Sequence, residues 1–326
     1  MKTQELLKKL MFASGVSGRE DKIRETIKEE IAPYCDEIIV DAIGNLIAHK
    51  KGKGKKILIS AHMDEIGYFA THITEGGFIK VHSVGGINYL SSAYTTVVSE
   101  RGVCGMIAPS NKEGVPSADS VFIDIGAKDK KSACEKVKVG DFFVHTPTLK
   151  KLMGTRYIGR PIDNRAGCCA LIEALKLVDS ENDLYFVWTV QEEVGSKGAK
   201  PVTQFIAPEY ALAVDVARVD GKPGTDTYNV KLGGGPTIKI KDGSVICNYD
   251  LVLKLREIAK EGNIKYQDEL LSKGGTDTSS LQVAGHGTVA GAICIPCAFM
   301  HTINEMVDLN DIKNTARLLA LVAKSL

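Results

Sequence analysis

Two adjacent carboxylates, Glu192 and Glu193, follow directly on an apolar run from Leu184 to Val190 and precede Val194-Gly195-Ser196. Side by side at the end of a buried strand, such acids repel and raise each other's pKa unless a cation sits with them. Four more stretches offer ligand-type side chains: His62-Met63-Asp64-Glu65, Asp163-Asn164-Arg165, Ala213-Val214-Asp215 and Met300-His301-Thr302. Imidazole nitrogen together with carboxylate oxygen suits zinc or another divalent first-row metal, not calcium and not a thiolate-bound ion. One catalytic ion takes about three protein ligands and keeps an open position. The candidates here exceed that number, so two ions sharing a bridging carboxylate, roughly 3.5–4 Å apart, fit the set better.

These side chains lie far apart in the chain, so secondary structure must bring them together. Ile57-Leu58-Ile59 reads as a short central strand that delivers His62 and Asp64, and Ala211 to Asp215 reads as another. Helical patterns cover Thr3–Ala13, Ala166–Val178, Ser196–Phe205, Asn248–Gly262 and Asp308–Leu326, and Val289–Pro296 reads as a strand. Ser17 with Glu20 three residues later has the form of a capping box opening a helix that ends near Ile31. Between about Phe69 and Tyr157 the texture changes to short apolar runs punctuated by glycine, the mark of a small all-β module. The expected fold class is therefore α/β: a mixed, largely parallel sheet with helices on both faces and an inserted β-barrel-like domain. The expected boundaries are 1–68 with 159–326 for the catalytic domain and 69–158 for the insertion. Sites in such sheets form outside the carboxyl ends of the strands, where His62, Glu192, Glu193 and Asp215 would converge. Asp163 and His301 sit in loops able to reach the same edge.

The totals exclude several function classes. A net charge of +1 over 326 residues, with no basic stripe carrying aromatics, gives no case for nucleic acid. No apolar run approaches the roughly 20 residues of a membrane span, and no signal segment is expected. Eight scattered cysteines suit a reducing, cytoplasmic location. Cys294 and Cys297 read as buried strand residues, and the five lysines of Lys50–Lys56 as a solvated hairpin turn. His49, His72, His82, His145 and His286 lack ligand-type neighbours and are assigned no role.

The stretches Ala61-His62-Met63-Asp64-Glu65-Ile66-Gly67, Gly159-Arg160-Pro161-Ile162-Asp163-Asn164-Arg165-Ala166-Gly167 and Gln191-Glu192-Glu193-Val194-Gly195 occur in that order. Gly274-Gly275-Thr276-Asp277 and Ile295-Pro296-Cys297 before His301 complete the series. Together they resemble the two-metal aminopeptidases that include the glutamyl, deblocking and tetrahedral aminopeptidases. The resemblance covers essentially the whole chain and implies a zinc-exopeptidase-like fold. It implies that Asp163 bridges two divalent ions (Zn2+ or Co2+, with Mn2+ as a further candidate). It implies that His62 and Asp215 complete one ion's site and that Glu193 and His301 complete the other. Glu192 would be the general base, Asp64 would orient His62, and the Asp163–Asn164 peptide would be cis. Asp277, after two glycines, is a candidate either to orient a metal-site group or to line the substrate pocket. The implied substrates are short peptides with a free N-terminus, and the implied assembly runs from dimers to a tetrahedral dodecamer through the β insertion.

Departures are small: Thr302 stands where serine is usual, and Thr278-Ser279-Ser280 replaces smaller residues. Two other functions compete. Some relatives carry cellulase labels, so a glycosidase or endoglucanase is the first. It needs two acids facing each other across about 5–9 Å and no metal; neighbouring acids with histidines and a single tryptophan, Trp188, fit it poorly. A catalytically silent shell protein is the second, and it would be expected to have lost Glu192 or a ligand.

Overall fold

The computed structural model describes residues 1–110, 117, 120–219 and 229–326. The chain opens with helices α1 (Thr3–Met11) and α2 (Asp21–Ile31), then strands β1 (Glu37–Val40), β2 (Leu46–Lys50) and β3 (Lys56–His62). Strands β4 (Gly67–Ile73), β5 (Ile79–Val84), β6 (Thr95–Ser99), β7 (Cys104–Pro109), β8 (Val121–Asp124) and β9 (Phe142–His145) follow, with short helices α3 (Tyr89–Ser92) and α4 (Lys130–Cys134) among them. Next come β10 (Thr148–Lys151), β11 (Arg156–Arg160), α5 (Arg165–Leu177), β12 (Asp183–Thr189), α6 (Ala199–Ile206) and β13 (Tyr210–Val219). The chain closes with β14 (Thr237–Lys241), α7 (Tyr249–Glu261), β15 (Gln267–Leu270), α8 (Thr278–Gln282), β16 (Val289–Ala298), β17 (Glu305–Asp308) and α9 (Leu309–Ser325).

One large mixed sheet has the order β1-β2-β12-β3-β13-β16-β17-β11-β10, with β14 and β15 branching from β16. Its centre, β12-β3-β13-β16, is parallel, and its margins are antiparallel apart from β14–β15, which pair parallel. Helices cover both faces, so the central strands are apolar almost throughout. From Ile57 to His62 every residue of β3 is buried, and β16 is buried from Ala290 to Ala298. Cys294 and Cys297 lie within that strand, wholly buried. The helices form because apolar residues recur on one face: Leu6, Leu7, Leu10 and Met11 in α1, Ile23, Ile27 and Ile31 in α2. Asn164, Asn248 and Asp308 cap α5, α7 and α9 by accepting from backbone N–H groups of the first turn. Among the described residues no helix is long and apolar enough to cross a membrane.

The second unit is a closed six-stranded antiparallel barrel, β4-β5-β8-β7-β6-β9, with its own core around Tyr68, Ile79, Val97, Ile107, Ile123 and Phe143. The chain leaves the large sheet just after His62 and enters the barrel at Gly67. It returns at β10, which pairs with β11 in the large sheet instead of joining the barrel. Residues 148–151 and 156–158, inside the expected insertion, therefore belong to the large sheet, and Gly67 and Tyr68, outside it, belong to the barrel.

Two other readings change. Lys50–Lys56 is not a hairpin turn, because β12 lies between β2 and β3. The segment instead folds over the entrance to β12, where the N–H groups of Lys53 and Gly54 both donate to the Glu181 carbonyl at 2.9 Å. A Cβ on Gly52 would come within 2.2 Å of the Asn182 carbonyl oxygen. The Ser17–Glu20 pair does not cap α2, which begins at Asp21 without a side-chain cap; both side chains are drawn to the site described below.

Helix α5 carries the burial load behind the site, packing on α9, α1 and β3. Leu171 at its centre is fully buried. Leu171→Ala is expected to cost about 2–5 kcal/mol, read as a lower urea midpoint at unchanged m; an unmoved midpoint would show that this seam does not hold the domain together.

Candidate active site

Register brings the first donors together. His62 ends β3 and lies opposite Thr189, the last residue of the parallel strand β12. On the other side of β3, strand β13 pairs through Ala213 with Ser60, so Asp215 reaches the level of His62 two residues further on. His62 Nε2 lies 3.3 Å from Asp163 Oδ1 and 3.5 Å from Asp215 Oδ1. Asp163 sits in the loop between β11 and α5, after a cis Arg160–Pro161 bond and before a cis Asp163–Asn164 bond. Its other oxygen faces His301 Nε2 at 3.2 Å, and that same nitrogen is 3.7 Å from Glu193 Oε2. The donors thus form two sets, each with its ligand atoms within 4.8 Å of one another: His62, Asp163 and Asp215, and Asp163, Glu193 and His301. They line a cavity of about 600 Å³, together with Glu192 and with Gly86, Ile87 and Asn88 from the barrel.

Asp64 organises the floor. Fully buried, it accepts from Ser17 Oγ at 2.6 Å, from Glu192 N at 3.0 Å and from Glu193 N at 3.2 Å, and its Oδ1 is 3.4 Å from His62 Nδ1. Burial alone would raise this carboxyl, but His62, Ser17 and the Glu192 N–H outweigh it and hold it low. Glu20 accepts from Gln191 N at 3.2 Å and from Gly18 N at 2.7 Å, which anchors the start of the acid loop. Gln191 itself has φ +56°. Ser196 Oγ donates to Glu192 Oε1 at 3.3 Å.

Glu305 was not visible as a site residue from sequence. Its Oε2 accepts from the N–H groups of Ile162 and Asp163 at 2.6 and 3.1 Å, and its Oε1 from His301 N at 3.0 Å. One buried carboxylate thereby fixes the backbones of both the Asp163 and the His301 loops. Arg160 faces it at 3.6 Å and also donates to the carbonyls of Thr302 and Ile66. Behind His62, the buried Arg165 pairs with Glu65 at 3.0 Å and donates to the Met63 carbonyl. Asp277 does not line the cavity: it is buried and accepts from Thr189 Oγ1 at 2.5 Å.

The electrostatics describe a cluster short of positive charge. Burial first, then the neighbouring Asp163, pushes Glu193 up to about 8. Burial likewise lifts Glu192 well above the carboxylate range, with Asp215, Asp277 and Glu193 adding to it against the pull of His62. Asp163 goes the other way, since the two imidazoles overcome the effect of burial. Burial would lower His301, yet Asp163 and Glu193 raise it to about 10. His62 Nδ1 and Asp163 Oδ1 are buried and lack aligned hydrogen-bond partners among the described residues. Buried polar atoms are seldom left so. An orphaned carboxylate oxygen 3.3 Å from an imidazole nitrogen, within a mixed nitrogen and oxygen donor set, fits a divalent cation.

The chain is similar to known proteins in both sequence and fold. The family profile described as M42 glutamyl aminopeptidase matches residues 44–318. A protein of Acetivibrio thermocellus bearing a provisional aminopeptidase name is 43% identical over 321 residues, covering 97% of this chain and 96% of its own. Among solved structures, aminopeptidase APDkam598 from the archaeon Desulfurococcus kamchatkensis superposes with a TM-score of 0.96 at 35% identity, over 99% of this chain and 95% of that one. The Pyrococcus horikoshii TET1 peptidase, which can assemble into a tetrahedron or a large octahedral shell, gives 0.91 at 37% identity over 100% of both chains. The match begins before β2, runs into α9 and takes in both donor sets, and on it the chain belongs to the M42 aminopeptidase family.

Proposed function

We propose that this protein releases N-terminal residues from short peptides, with two divalent ions held by its two donor sets and Glu192 as general base. The observation that carries the reading is Asp163, whose two oxygens each face a different imidazole and so complete both sets. His62 and Asp215 would hold one ion with it, and Glu193 and His301 the other. Zinc and cobalt suit these donors best, and manganese is a further candidate. Bound there, the ions would lower the pKa of a water from 15.7 toward roughly 7 and polarise a peptide carbonyl.

The remaining work falls to the chain's own groups. Glu192 lines the cavity beside the donors but belongs to neither set, so its carboxylate is available to take a proton from the attacking water and return it to the leaving amine. Ser196 Oγ and the Asp64-bound backbone N–H of Glu192 hold that side chain and its loop in place. Asp64, facing His62 Nδ1, orients the ring so that Nε2 points at the donors. A floor of carboxylates favours a substrate's free α-amine over a carboxylate, which suits an exopeptidase. The glycosidase reading finds less support: Glu192 and Glu193 share one loop instead of facing each other across a groove, and it leaves both imidazoles without a task.

We also propose self-association, with the β4–β9 barrel supplying subunit contacts and dimers building a tetrahedral dodecamer. The assembly of the Pyrococcus horikoshii relative and the presence of the barrel here support this. The free cysteines are compatible with a cytoplasmic setting.

Metal-depleted protein given back cobalt or zinc should cleave aminoacyl anilides but not soluble cellulose. Glu192→Gln should keep its metal and lose about 10²–10⁴-fold in kcat; an unchanged kcat would remove Glu192 as the base. Asp163→Ala should lose both ions by elemental analysis, and full metal content would contradict bridging. Light scattering should give about 420 kDa, twelve chains of 35.1 kDa; a monomer mass would reject the assembly.

A further inference from the structure

The barrel does more than border the cavity. Where β5 ends, Gly85 and Gly86 turn the chain against the second donor set. The Gly86 carbonyl accepts from His301 Nδ1 at 2.8 Å. A Cβ on Gly86 would stand 3.0 Å from that same nitrogen. Gly85 has φ +75°, a backbone conformation that disfavours a side chain. A Cβ on Gly85 would lie 2.4 Å from Ile66 Cγ2 and 3.2 Å from both Cβ and Oε2 of Glu193. Two consecutive glycines of the inserted unit thus sit against His301 and Glu193, the two residues that belong to this donor set alone. Among the described residues no comparable contact reaches His62, whose Nδ1 faces Asp64 from its own domain.

The hydrogen bond has a chemical consequence. A carbonyl oxygen can only accept, so His301 Nδ1 must carry the proton. In the neutral ring, Nε2 is then left with its lone pair, directed at Asp163 and Glu193. The ring is held from behind as well: His301 has φ +61°, and its N–H is bound to Glu305.

We propose that the Gly85–Gly86 turn of the inserted barrel is a positioning element for the Glu193/His301 half of the site, selecting the His301 tautomer and leaving room for both side chains to converge. This rests on the two-ion reading above. The barrel is accordingly a structural part of one ion's site and not of the other's. Partners of this kind commonly change metal affinity by about 10–100-fold when lost.

The test uses the full chain, stripped of metal and titrated with Co2+ alone, with bound ions counted by elemental analysis and affinity read by calorimetry. Wild type should take two ions per chain. Gly86→Ala should keep one at wild-type affinity and bind the second about 10–100-fold more weakly. His301→Gln should weaken the same ion, and adding Gly86→Ala to it should weaken that ion little further. Two ions at wild-type affinity in Gly86→Ala would overturn the proposal while leaving the two-ion reading intact. Fewer than two in wild type would overturn both. Should circular dichroism show Gly86→Ala unfolded, the Zn2+-loaded wild type decides: with ¹⁵N-labelled histidine, and His301→Gln for assignment, the single ring proton of His301 is expected on Nδ1. A proton on Nε2 would overturn the proposal.

Discussion

The structure depends on one constraint: more carboxylates are buried at the ends of β3, β12 and β13 than the local imidazoles can neutralise. Asp64, Asp163, Glu193, Asp215 and Asp277 share a small volume with His62 and His301. Burying an ionised group is expensive unless it is paired and hydrogen-bonded. Without added cations, protons offset part of the charge, hence the raised pKa values of Glu192, Glu193 and Asp215. Divalent cations would offset it too, with Glu193 and Asp215 among the proposed ligands. The composition of the site favours the proposed cations, and the rest of the chain holds its side chains in place.

Keeping it in place falls to a shell of groups that touch backbone more than donor atoms. Glu305 holds the Asp163 and His301 loops, Asp64 holds the Glu192–Glu193 loop, and Arg165 fastens the Met63 carbonyl behind His62. Each connects segments far apart in sequence, so the site's geometry is a property of the folded whole. Hydrogen bonds to charged groups are worth roughly 1.5–3 kcal/mol each, and losing any one would loosen several donors together.

What could be read in the sequence follows from this division of labour. An apolar run ending in His62, Glu192 or Asp215 is a local pattern, and local patterns survive without a structure; so did the α/β class and the β texture of the insertion. The shell left no such trace. Ser17 and Glu20 imitate a helix cap while serving Asp64 and Gln191, because short polar residues next to a helix start look alike whatever they bind. Glu305 is one acid on a short strand, and its partners are main-chain N–H groups that carry no residue identity. The Gly86 carbonyl is less legible still, being backbone. Lys50–Lys56 has the look of a turn in sequence because two strands near in sequence are kept apart by a third from a remote segment, and only register reveals that.

The margins of the large sheet bear on solubility. Its outermost strands, β1, β10 and β15, are each only four residues long. The first opens with Glu37, the second ends in Lys150 and Lys151, and the third carries Asp268 and Glu269, with Glu269 turned inward onto Lys239 at 2.7 Å. Short, charged borders with an inward-facing ion pair are poor templates for a foreign strand. Runaway cross-β stacking of the central sheet is therefore discouraged even when many copies crowd together.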